Sequence, residues 1–486
     1  MLILALDLGT TGNRAVVFNP DRQIVSSSYR ELTQHYPQPG QVEHDPAEIW
    51  KDVQALIRGT ISKVPAEEIG AVGITNQRET IVCWDPETGQ PLHNAIVWQD
   101  RRTADHCRRL RGAGKEERIK ERTGLRCDPY FSATKISWLL ENVPESRGGL
   151  FGTVDSWILW KLSGGRVHAT DVSNASRTML YNLHDRQWDP ELLDLFGVSA
   201  NCLPDVRSSS GEFGEIDPEL FGLRASVCGV AGDQQAAAFG QGCYRAGTIK
   251  NTYGTGLFLL MSTGQEPAET QGLLTTVGWE IDGKITYAVE GSAFAGGAVI
   301  QWLRDGLGII EEAAETEALA RSVESNDGVY FVPALAGLGA PYWDSEARGT
   351  IVGLTRGTAP AHIARAALES IAYRSRDMVE VVARETGSRP EKLLVDGGAS
   401  RNDWLMQFQA DILGVPVERP KIIETTAMGA AGLAGLHAGV WETPEDFLAH
   451  REVDREFEPT ITADRRENLY QRWKQAVERS REWAES

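Results

Sequence analysis

The sequence contains one short pattern twice: an apolar run that predicts a β-strand, a turn of Gly and Thr, and a second apolar run. The first copy runs from Leu2 to Leu6 into Gly9-Thr10-Thr11-Gly12, near the start of the 486 residues. The second copy runs from Gly247 to Thr252 into Gly254-Thr255-Gly256. Short apolar runs separated by Gly, Asn and Asp are typical of strand meanders. Because further strands are predicted after each copy, the pattern indicates two halves of similar plan.

The second copy also places the boundary between the two halves, near residues 240–245. Segments of helical spacing, such as the one that begins at Asp45-Pro46, lie between the predicted strands, so the fold class is α/β. We predict an N-terminal domain of residues 1–242 and a C-terminal domain of residues 243–486. No Pro/Ser-rich or low-complexity linker separates them, so we expect a tight interface between the domains.

The charge of the chain excludes some classes of partner. Forty-nine Lys and Arg stand against 68 Asp and Glu, which gives a formal net charge of −19. A protein that coats nucleic acid or an anionic membrane needs a basic surface, so we expect no nucleic-acid partner. A small anionic ligand remains possible because it needs only a few local donors.

Membrane insertion and secretion are not expected either. No apolar run reaches the ~18–20 residues that cross a bilayer. The nearest run, Ala427 to Leu436, consists largely of Ala and Gly and predicts a closely packed helix. The N-terminus has no basic lead before its short apolar run, and the six Cys are widely spaced. These features predict a cytoplasmic protein.

The two Gly-Thr turns are candidate phosphate sites. Backbone N–H groups and hydroxyls in such turns can bind phosphate oxygens, and Arg14 lies near enough in sequence to add positive charge. Asp7, at the end of a predicted strand, can hold hydrated Mg²⁺ through its waters. A single turn of this kind is a plain hairpin about as often as it is a phosphate site. Two turns from two domains can face each other and hold a triphosphate between them.

A third element suits a flat ligand such as a nucleoside. The predicted strand 393–396 ends in Gly397-Gly398, and Asn402 opens the helix that follows. A Gly pair lets a flat ring lie close to the backbone, and Asn402 can hydrogen-bond its polar edge. A lone Gly pair is weak support, but three such elements in this order are strong support.

Other residues could bind and activate a small hydroxylated molecule. Asp233 follows the predicted strand 227–230, where a carboxylate can accept the proton of an attacking hydroxyl, although it could equally cap the next helix. Arg78-Glu79 pairs a fixed fork of donors with an acceptor, although a surface salt bridge is the common alternative. Trp98 and Tyr130 could cover a carbon backbone or could be ordinary core aromatics.

One apparent motif is better explained as a turn. The segment from Gly278 to Lys284 has most of a P-loop pattern, but Ile285 stands where Ser or Thr is required. Asp282-Gly283 lies between alternating apolar segments, so we predict a hairpin turn there.

Longer motifs identify a family. The segments 130–142 and 353–370 resemble the two signatures of the FGGY carbohydrate kinases, and the resemblance extends over nearly the whole chain. Segments 76–79, 97–102, 128–132 and 232–235 are similar to members that phosphorylate glycerol. The resemblance implies two actin-like ATPase (ribonuclease H-like) domains around a central interdomain cleft. It also implies transfer of a phosphoryl group from ATP to glycerol, giving sn-glycerol 3-phosphate, as the first step of glycerol catabolism.

The resemblance also implies roles for individual residues. Residues at positions that bind glycerol hydroxyls in the family are Arg78, Glu79, Tyr130, Asp233 and Gln234, with Asp233 as the catalytic base. Trp98 and Phe258 match positions that pack on the glycerol carbons. Positions that contact nucleotide phosphates are Thr10, Thr11, Arg14, Thr255 and Gly297, and those nearer the nucleoside are Gln301, Gly398 and Asn402. Asp7 matches the acidic residue near Mg²⁺, and the family suggests a homo-oligomer, either a dimer or a tetramer.

The chain departs from the family pattern in three places. Gly12-Asn13 stands where many relatives have Ser-Ser, and Ala399-Ser-Arg-Asn402 replaces a more usual Ala-Val-Ala-Asn. The segment 221–225 lacks a Gly-rich loop, which weakens the case for inhibition by a sugar bisphosphate. Two alternatives therefore stay open: a kinase of another small polyol or ketose, and a non-catalytic actin-like switch protein that binds nucleotide.

Overall fold

The computed structural model describes residues 1–344 and 346–484, and the first half of the chain forms one α/β unit. Its strands are β1 (Leu2–Leu8), β2 (Gly12–Phe18), β3 (Ile24–Glu31), β4 (Glu43–His44), β5 (Ile69–Asn76), β6 (Ile81–Trp84), β7 (Ala95–Ile96), β8 (Leu150–Thr153), β9 (Ala169–Asp171), β10 (Tyr181–Asn182), β11 (Gln187–Trp188), β12 (Asp205–Arg207) and β13 (Ser226–Gly232). Its helices are α1 (Pro46–Ile61), α2 (Ala104–Gly112), α3 (Glu116–Thr123), α4 (Ser132–Asn142), α5 (Val154–Leu162), α6 (Val172–Ala175), α7 (Pro190–Phe196), α8 (Pro218–Phe221) and α9 (Asp233–Gln241).

The second half forms another α/β unit. Its strands are β14 (Ile249–Tyr253), β15 (Leu257–Gly264), β16 (Leu274–Ile281), β17 (Lys284–Ala293), β18 (Tyr330–Val332), β19 (Thr350–Val352), β20 (Leu393–Asp396), β21 (Val417–Pro420) and β22 (Val453–Phe457). Its helices are α10 (Gly297–Gln301), α11 (Glu315–Arg321), α12 (Pro360–Thr386), α13 (Asp403–Leu413), α14 (Thr425–His437), α15 (Pro444–Ala449) and α16 (Ala463–Glu478).

The two central sheets share one arrangement of strands. The first has the order β13-β5-β1-β2-β3, and the second has the order β16-β17-β15-β14-β20-β21-β22. In the first sheet, β1 pairs with β2 as an antiparallel hairpin and with β5 in parallel. In the second, β14 pairs in the same way with β15 and β20. The predicted duplication of strand, Gly-Thr turn and strand is therefore confirmed.

The register of the first sheet brings the ends of three parallel strands together. Leu8 of β1 pairs with Asn76 of β5, and Asn76 also pairs with Gly232 of β13. Because ligands bind beyond the carboxyl ends of parallel strands, this edge is the natural place for a site. Asp7 lies at the same edge, and Asp233 is the residue after β13.

Helix α14 belongs to the second half of the chain but packs against the first sheet, as its Ala- and Gly-rich sequence predicts. A Cβ atom added to Gly429 would lie 1.8 Å from the carbonyl oxygen of Ala236 in α9. A Cβ on Gly73 of β5 would lie 2.2 Å from the carbonyl oxygen of Ala430. Both distances are far below a van der Waals contact, so glycine is required on both sides. The two halves are therefore joined by direct backbone packing.

Two further predictions can be compared with the structure. Asp282 and Gly283 have φ of +50° and +72°, so they form the predicted hairpin turn between β16 and β17 rather than a phosphate-binding loop. Across the parts of the chain that the structure describes, no helix combines the length and hydropathy needed to cross a bilayer.

Substitution of Gly429 by Ala tests the packing of α14. Alanine favours an isolated helix over glycine by up to about 1 kcal/mol, but here its methyl group would meet the backbone of α9. Overpacking of this kind costs about 1–3 kcal/mol or more, so Gly429→Ala should lower the free energy of unfolding. Gly112→Ala is the matched control, because Gly112 ends α2 with no atom within 4 Å of an added Cβ. Urea unfolding should show a lower free energy of unfolding for Gly429→Ala and no decrease for Gly112→Ala. Equal stability of the two variants would refute the tight α9–α14 contact.

Candidate active site

Asp233 lies at the first residue of α9, directly after β13, and its side chain stays about 28% exposed. Arg78 forms an ion pair with Asp233, with Nε 3.2 Å from Oδ1, and the Gln234 N–H donates to the same oxygen at 2.7 Å. The helix begins after Gly232, so Asp233 does not act as its N-cap. Burial raises the pKa of Asp233, while Arg78 and Lys250 lower it. The carboxylate is thus fixed in orientation yet accessible.

Arg78 is buried and bound on every side. Its two terminal nitrogens donate to both carboxylate oxygens of Glu290, one of them at 2.9 Å. They also donate to Gln235 Oε1 at 3.2 Å and to the Tyr130 hydroxyl at 3.4 Å. Arg78 and Glu79 do form an ion pair, with Nε 3.9 Å from Oε1, but both side chains are only 2% exposed, so the alternative of a surface salt bridge is wrong.

Glu79 has its own partner. Arg177 donates from Nε to Glu79 Oε1 at 2.6 Å and from Nη2 to Glu290 Oε1 at 3.1 Å. Burial raises the pKa of Glu79, and the charges of Arg177 and Arg78 oppose that rise. Glu79 also has a φ of +62°, a conformation that side chains other than glycine rarely adopt. Such strain is concentrated at ligand sites, where the surrounding structure holds it in place.

Arg78, Glu79, Arg177 and Glu290 therefore form a buried square of alternating charge, which we call the charge square. Glu290 comes from β17 in the second half of the chain, whereas the other three belong to the first half. Burial alone would raise the pKa of Glu290, but Arg177 and Arg78 together lower it to about 2. The charge square thus joins the two halves through the Glu290 carboxylate, which is ionised at neutral pH.

The sequence predictions missed Arg177 and Glu290. One signal was present for Glu290, since a carboxylate stands inside the apolar strand Lys284–Ala293. A buried acid in such a strand requires a partner. Nothing in the sequence around Arg177 distinguishes it from the many other arginines.

Three aromatic rings line the site beside the charge square. The ring centroid of Trp98 lies 5.6 Å from that of Tyr130 and 6.1 Å from that of Phe258, in both cases edge to face. Trp98 also donates from Nε1 to the Thr10 hydroxyl at 2.9 Å. The structure therefore brings the predicted carbon-packing residues together and links them to the first Gly-Thr turn.

The two Gly-Thr turns have matching backbone bonds. The Gly9 N–H donates to the Gly12 carbonyl at 3.0 Å, and the Gly254 N–H donates to the Gly256 carbonyl at 3.0 Å. Thr11 and Thr255 are exposed at the tips of these turns, while Thr10 is half-buried. The predicted phosphate residues thus occupy equivalent places in the two halves.

The remaining predicted nucleotide residues cluster near the second turn, with one exception. The Gly297 N–H donates to the Gly254 carbonyl at 2.7 Å, and Gln301 is exposed at the end of the same short helix α10. Gly398 is exposed and has no atom within 4 Å of an added Cβ. The exception is Arg14, which pairs with Glu424 of the second half.

The Asn402 side chain makes two hydrogen bonds within the protein. Its Oδ1 accepts from the Leu405 N–H at 2.9 Å, and its Nδ2 donates to the Thr316 hydroxyl at 3.3 Å. Asn402 is thus the N-cap of α13. It shapes the surface next to Gly398, and each end of its amide makes one hydrogen bond within the protein.

Asp7 fits a hydrated Mg²⁺ ion. Burial raises the pKa of Asp7 to about 6; Arg14 opposes the rise and Asp233 adds to it. Within residues 1–344 and 346–484, the Asp7 carboxylate has no hydrogen bond or ion pair, and no three metal-binding side chains cluster. Mg²⁺ in phosphate-binding sites usually takes one or two carboxylates, waters and phosphate oxygens. A cation here would relieve the repulsion between Asp7 and Asp233.

Two sheets of equal plan, each with a Gly-Thr turn, and a polar cluster between them define the class of protein. This is the two-domain actin-like ATPase (ribonuclease H-like) fold with a cleft between the domains, as the sequence predicts. Comparison with known proteins names the family more closely.

The N-terminal domain model of the FGGY family of carbohydrate kinases matches residues 2–240, and the C-terminal domain model matches residues 249–438. The chain therefore belongs to the FGGY family of carbohydrate kinases, which confirms the family predicted from the sequence motifs.

The relatives that match nearly the whole chain at more than 50% identity are named glycerol kinase. The chain is 56% identical to the glycerol kinase of Carboxydothermus hydrogenoformans, with 99% of this chain and 98% of the relative covered. It is 54% identical to the glycerol kinase of Petrotoga mobilis, with 99% of each covered. The crystal structure of Plasmodium falciparum glycerol kinase with ADP matches with a TM-score of 0.91 at 35% identity, covering 99% of this chain and 98% of that one.

Glu290→Gln tests the charge square through the pH dependence of stability. The pKa of Glu290 is about 2 in the folded protein against an ordinary value of 4.5, so its charge stabilises the fold above pH 4.5. That stability is lost as the pH falls from 4.5 toward 2. At pH 7 the free energy of unfolding of the variant should be about 3–5 kcal/mol lower than that of the wild type, because two arginines lose a buried partner. As the pH falls, the free energy of unfolding should decrease less in the variant than in the wild type.

The measurement is urea unfolding at pH 7, 5, 4 and 3.5. Glu391→Gln, at an exposed position, is the control and should match the wild type. An unfolding free energy of Glu290→Gln within about 0.5 kcal/mol of the control at pH 7 would contradict the ionised square.

Proposed function

We propose that the protein transfers the γ-phosphoryl group of ATP to glycerol, giving ADP and sn-glycerol 3-phosphate, as the first step of glycerol catabolism. The observation that carries this proposal is the accessible Asp233 carboxylate, ion-paired with an Arg78 side chain that also contacts Tyr130, one of the three aromatic rings. Identities of 54–56% to proteins named glycerol kinase, over nearly the whole chain, support the same substrate.

Glycerol binds in this proposal between the charge square and the aromatic rings. Arg78 supplies its Nε–H, which makes no hydrogen bond among the described residues, and Glu79 supplies an acceptor for glycerol hydroxyls. Tyr130 and Gln234 add further polar contacts. Trp98, together with Tyr130 and Phe258, covers the carbon backbone. Because the ion pairs fix the donors and acceptors in advance, little ordering free energy is lost when glycerol binds.

Asp233 acts as the general base. It accepts the proton of the terminal glycerol hydroxyl as that oxygen attacks the γ-phosphorus in line. The new O–P bond forms while the bond from the γ-phosphorus to the bridging oxygen breaks, and ADP leaves. Burial raises the pKa of Asp233 and so makes the carboxylate a better proton acceptor than a solvated one.

The nucleotide lies across the two Gly-Thr turns. Thr10, Thr11 and Thr255 offer hydroxyl and backbone donors to the phosphates, with the backbone of Gly297 beside them. Arg14 must exchange Glu424 for a phosphate to take part. Mg²⁺, held through Asp7, neutralises phosphate charge when bound. We place the nucleoside on the surface around Gln301 and Gly398, where Asn402 caps the adjoining helix.

The proposal includes the domain bounds, the oligomeric state and the location of the protein. The family models, which end at 240 and begin again at 249, support domains of residues 1–242 and 243–486. Family resemblance alone supports a homo-oligomer, either a dimer or a tetramer. A cytoplasmic location agrees with the acidic chain and its phosphorylated product.

Asp233→Asn tests the assignment of the base. The amide cannot accept the hydroxyl proton, so kcat should fall by roughly 10²–10⁴-fold. Asp282→Asn is the matched control, because Asp282 is exposed in a hairpin turn at positive φ, where Asn is well tolerated. A coupled assay of ADP release measures both variants. A kcat of Asp233→Asn within threefold of the wild type would refute the role of Asp233 as base.

The choice of substrate is tested with the wild-type protein. ADP release should depend on glycerol and should be far slower with xylulose, ribulose or gluconate. Faster turnover with one of those sugars would identify a different kinase of the family. ATP binding with no transfer to any of the four would support the switch-protein alternative and overturn the proposed reaction.

A further inference from the structure

Lys250 is a fully buried lysine in β14 whose contacts all lie within the proposed site. Its Nζ donates to Gln234 Oε1, to the Thr252 hydroxyl at 2.8 Å and to the Phe258 carbonyl at 3.2 Å. A lysine ammonium has three N–H donors, so all three are used. Lysines are almost never fully buried without such compensation.

These three acceptors come from different parts of the site. Gln234 is on α9 in the first half of the chain, where it is a predicted ligand of glycerol. Thr252 leads into the turn Gly254-Thr255-Gly256, and Phe258 is the second residue of the strand that follows that turn. Lys250 therefore connects the polyol-binding end of α9 to the second phosphate-binding turn, across the interface between the two halves.

Lys250 is also surrounded by charge without a direct ion pair. Burial lowers the pKa of Lys250, while Asp396, Asp233 and Glu290 raise it and Arg78 lowers it further. None of the ion pairs within the described residues includes Lys250. Its ammonium is thus held by oxygen dipoles, so its position is set by the site rather than by one carboxylate.

The bond to Gln234 decides how that amide is oriented. A glutamine amide has one acceptor end and one donor end. The Lys250 ammonium has no acceptor, so it can only face the Gln234 oxygen, and Gln234 Nε2 is left with no acceptor among the described residues. Gln234 then presents N–H donors, which suit a hydroxyl oxygen of a polyol.

We propose that Lys250 is a positioning residue that fixes the Gln234 amide with its donor end toward the polyol and anchors it to the second phosphate-binding turn. The inference rests on the proposed function and deepens it, because it explains how one hydroxyl of the substrate is recognised. Lys250 itself acts through Gln234, and no contact between Lys250 and substrate is required.

The test is a double-mutant cycle with Lys250→Met and Gln234→Ala. Losing a hydrogen bond from a charged donor should raise the glycerol KM and the calorimetric Kd for glycerol by about 10- to 100-fold in Lys250→Met. The ATP KM should change by less than about threefold. If Lys250 acts through Gln234, adding Lys250→Met to Gln234→Ala should raise the glycerol KM by at most about a further threefold.

Lys284→Met is the matched control, because Lys284 is exposed at the first residue of β17 and should behave as the wild type. Lys250→Gln is the second variant, in case Met at a polar site prevents folding, which thermal melting will show. Its amide can still donate to Gln234, so its glycerol KM should lie between those of the wild type and Lys250→Met.

Two results would overturn the inference. One is full additivity of Lys250→Met and Gln234→Ala in the cycle. The other is an equal rise of the glycerol KM and the ATP KM in both Lys250→Gln and Lys250→Met. Failure of the wild type to bind or phosphorylate glycerol would instead refute the proposed function, and the two failures are distinguishable because the wild type is measured first.

Discussion

The site depends on the buried charge square of Arg78, Glu79, Arg177 and Glu290. Burying two acids and two arginines away from water is costly unless they are paired, and here every acid faces an arginine. Glu290 comes from the second half of the chain, so the site is complete only when the two halves are together. Arg78 of the square also pairs with the Asp233 carboxylate, so the position of the proposed base depends on the square.

Backbone packing sets the frame within which these charges meet. Helix α14 approaches β5 and α9 so closely that Gly73 and Gly429 have no room for a side chain. Close backbone packing of this kind leaves little freedom for sliding, because any shift produces overlap with backbone atoms. Lys250 adds a polar link between the halves nearer the proposed polyol site. The junction between the halves is therefore fixed at its base by α14 and at the site by charge and hydrogen bonds.

The sequence predicted the local patterns of the fold well and its long-range contacts poorly. The Gly-Thr turns, the Asp282-Gly283 hairpin and the packed helix follow from short stretches of sequence with a direct backbone meaning. The partners of Arg78 do not, because Arg177 and Glu290 are distant in sequence and no local rule selects one arginine or glutamate among many. Asn402 shows the converse: the sequence places it at the start of a helix, and only the structure shows that each end of its amide makes a hydrogen bond within the protein.

A crystal structure with glycerol and a non-hydrolysable ATP analogue tests the central claim most directly. The account predicts a terminal glycerol hydroxyl about 2.6–3.2 Å from the Asp233 carboxylate, with the charge square unchanged and the phosphates on the two Gly-Thr turns. Glycerol bound away from Asp233, or a charge square that opens when the ligands bind, would contradict it.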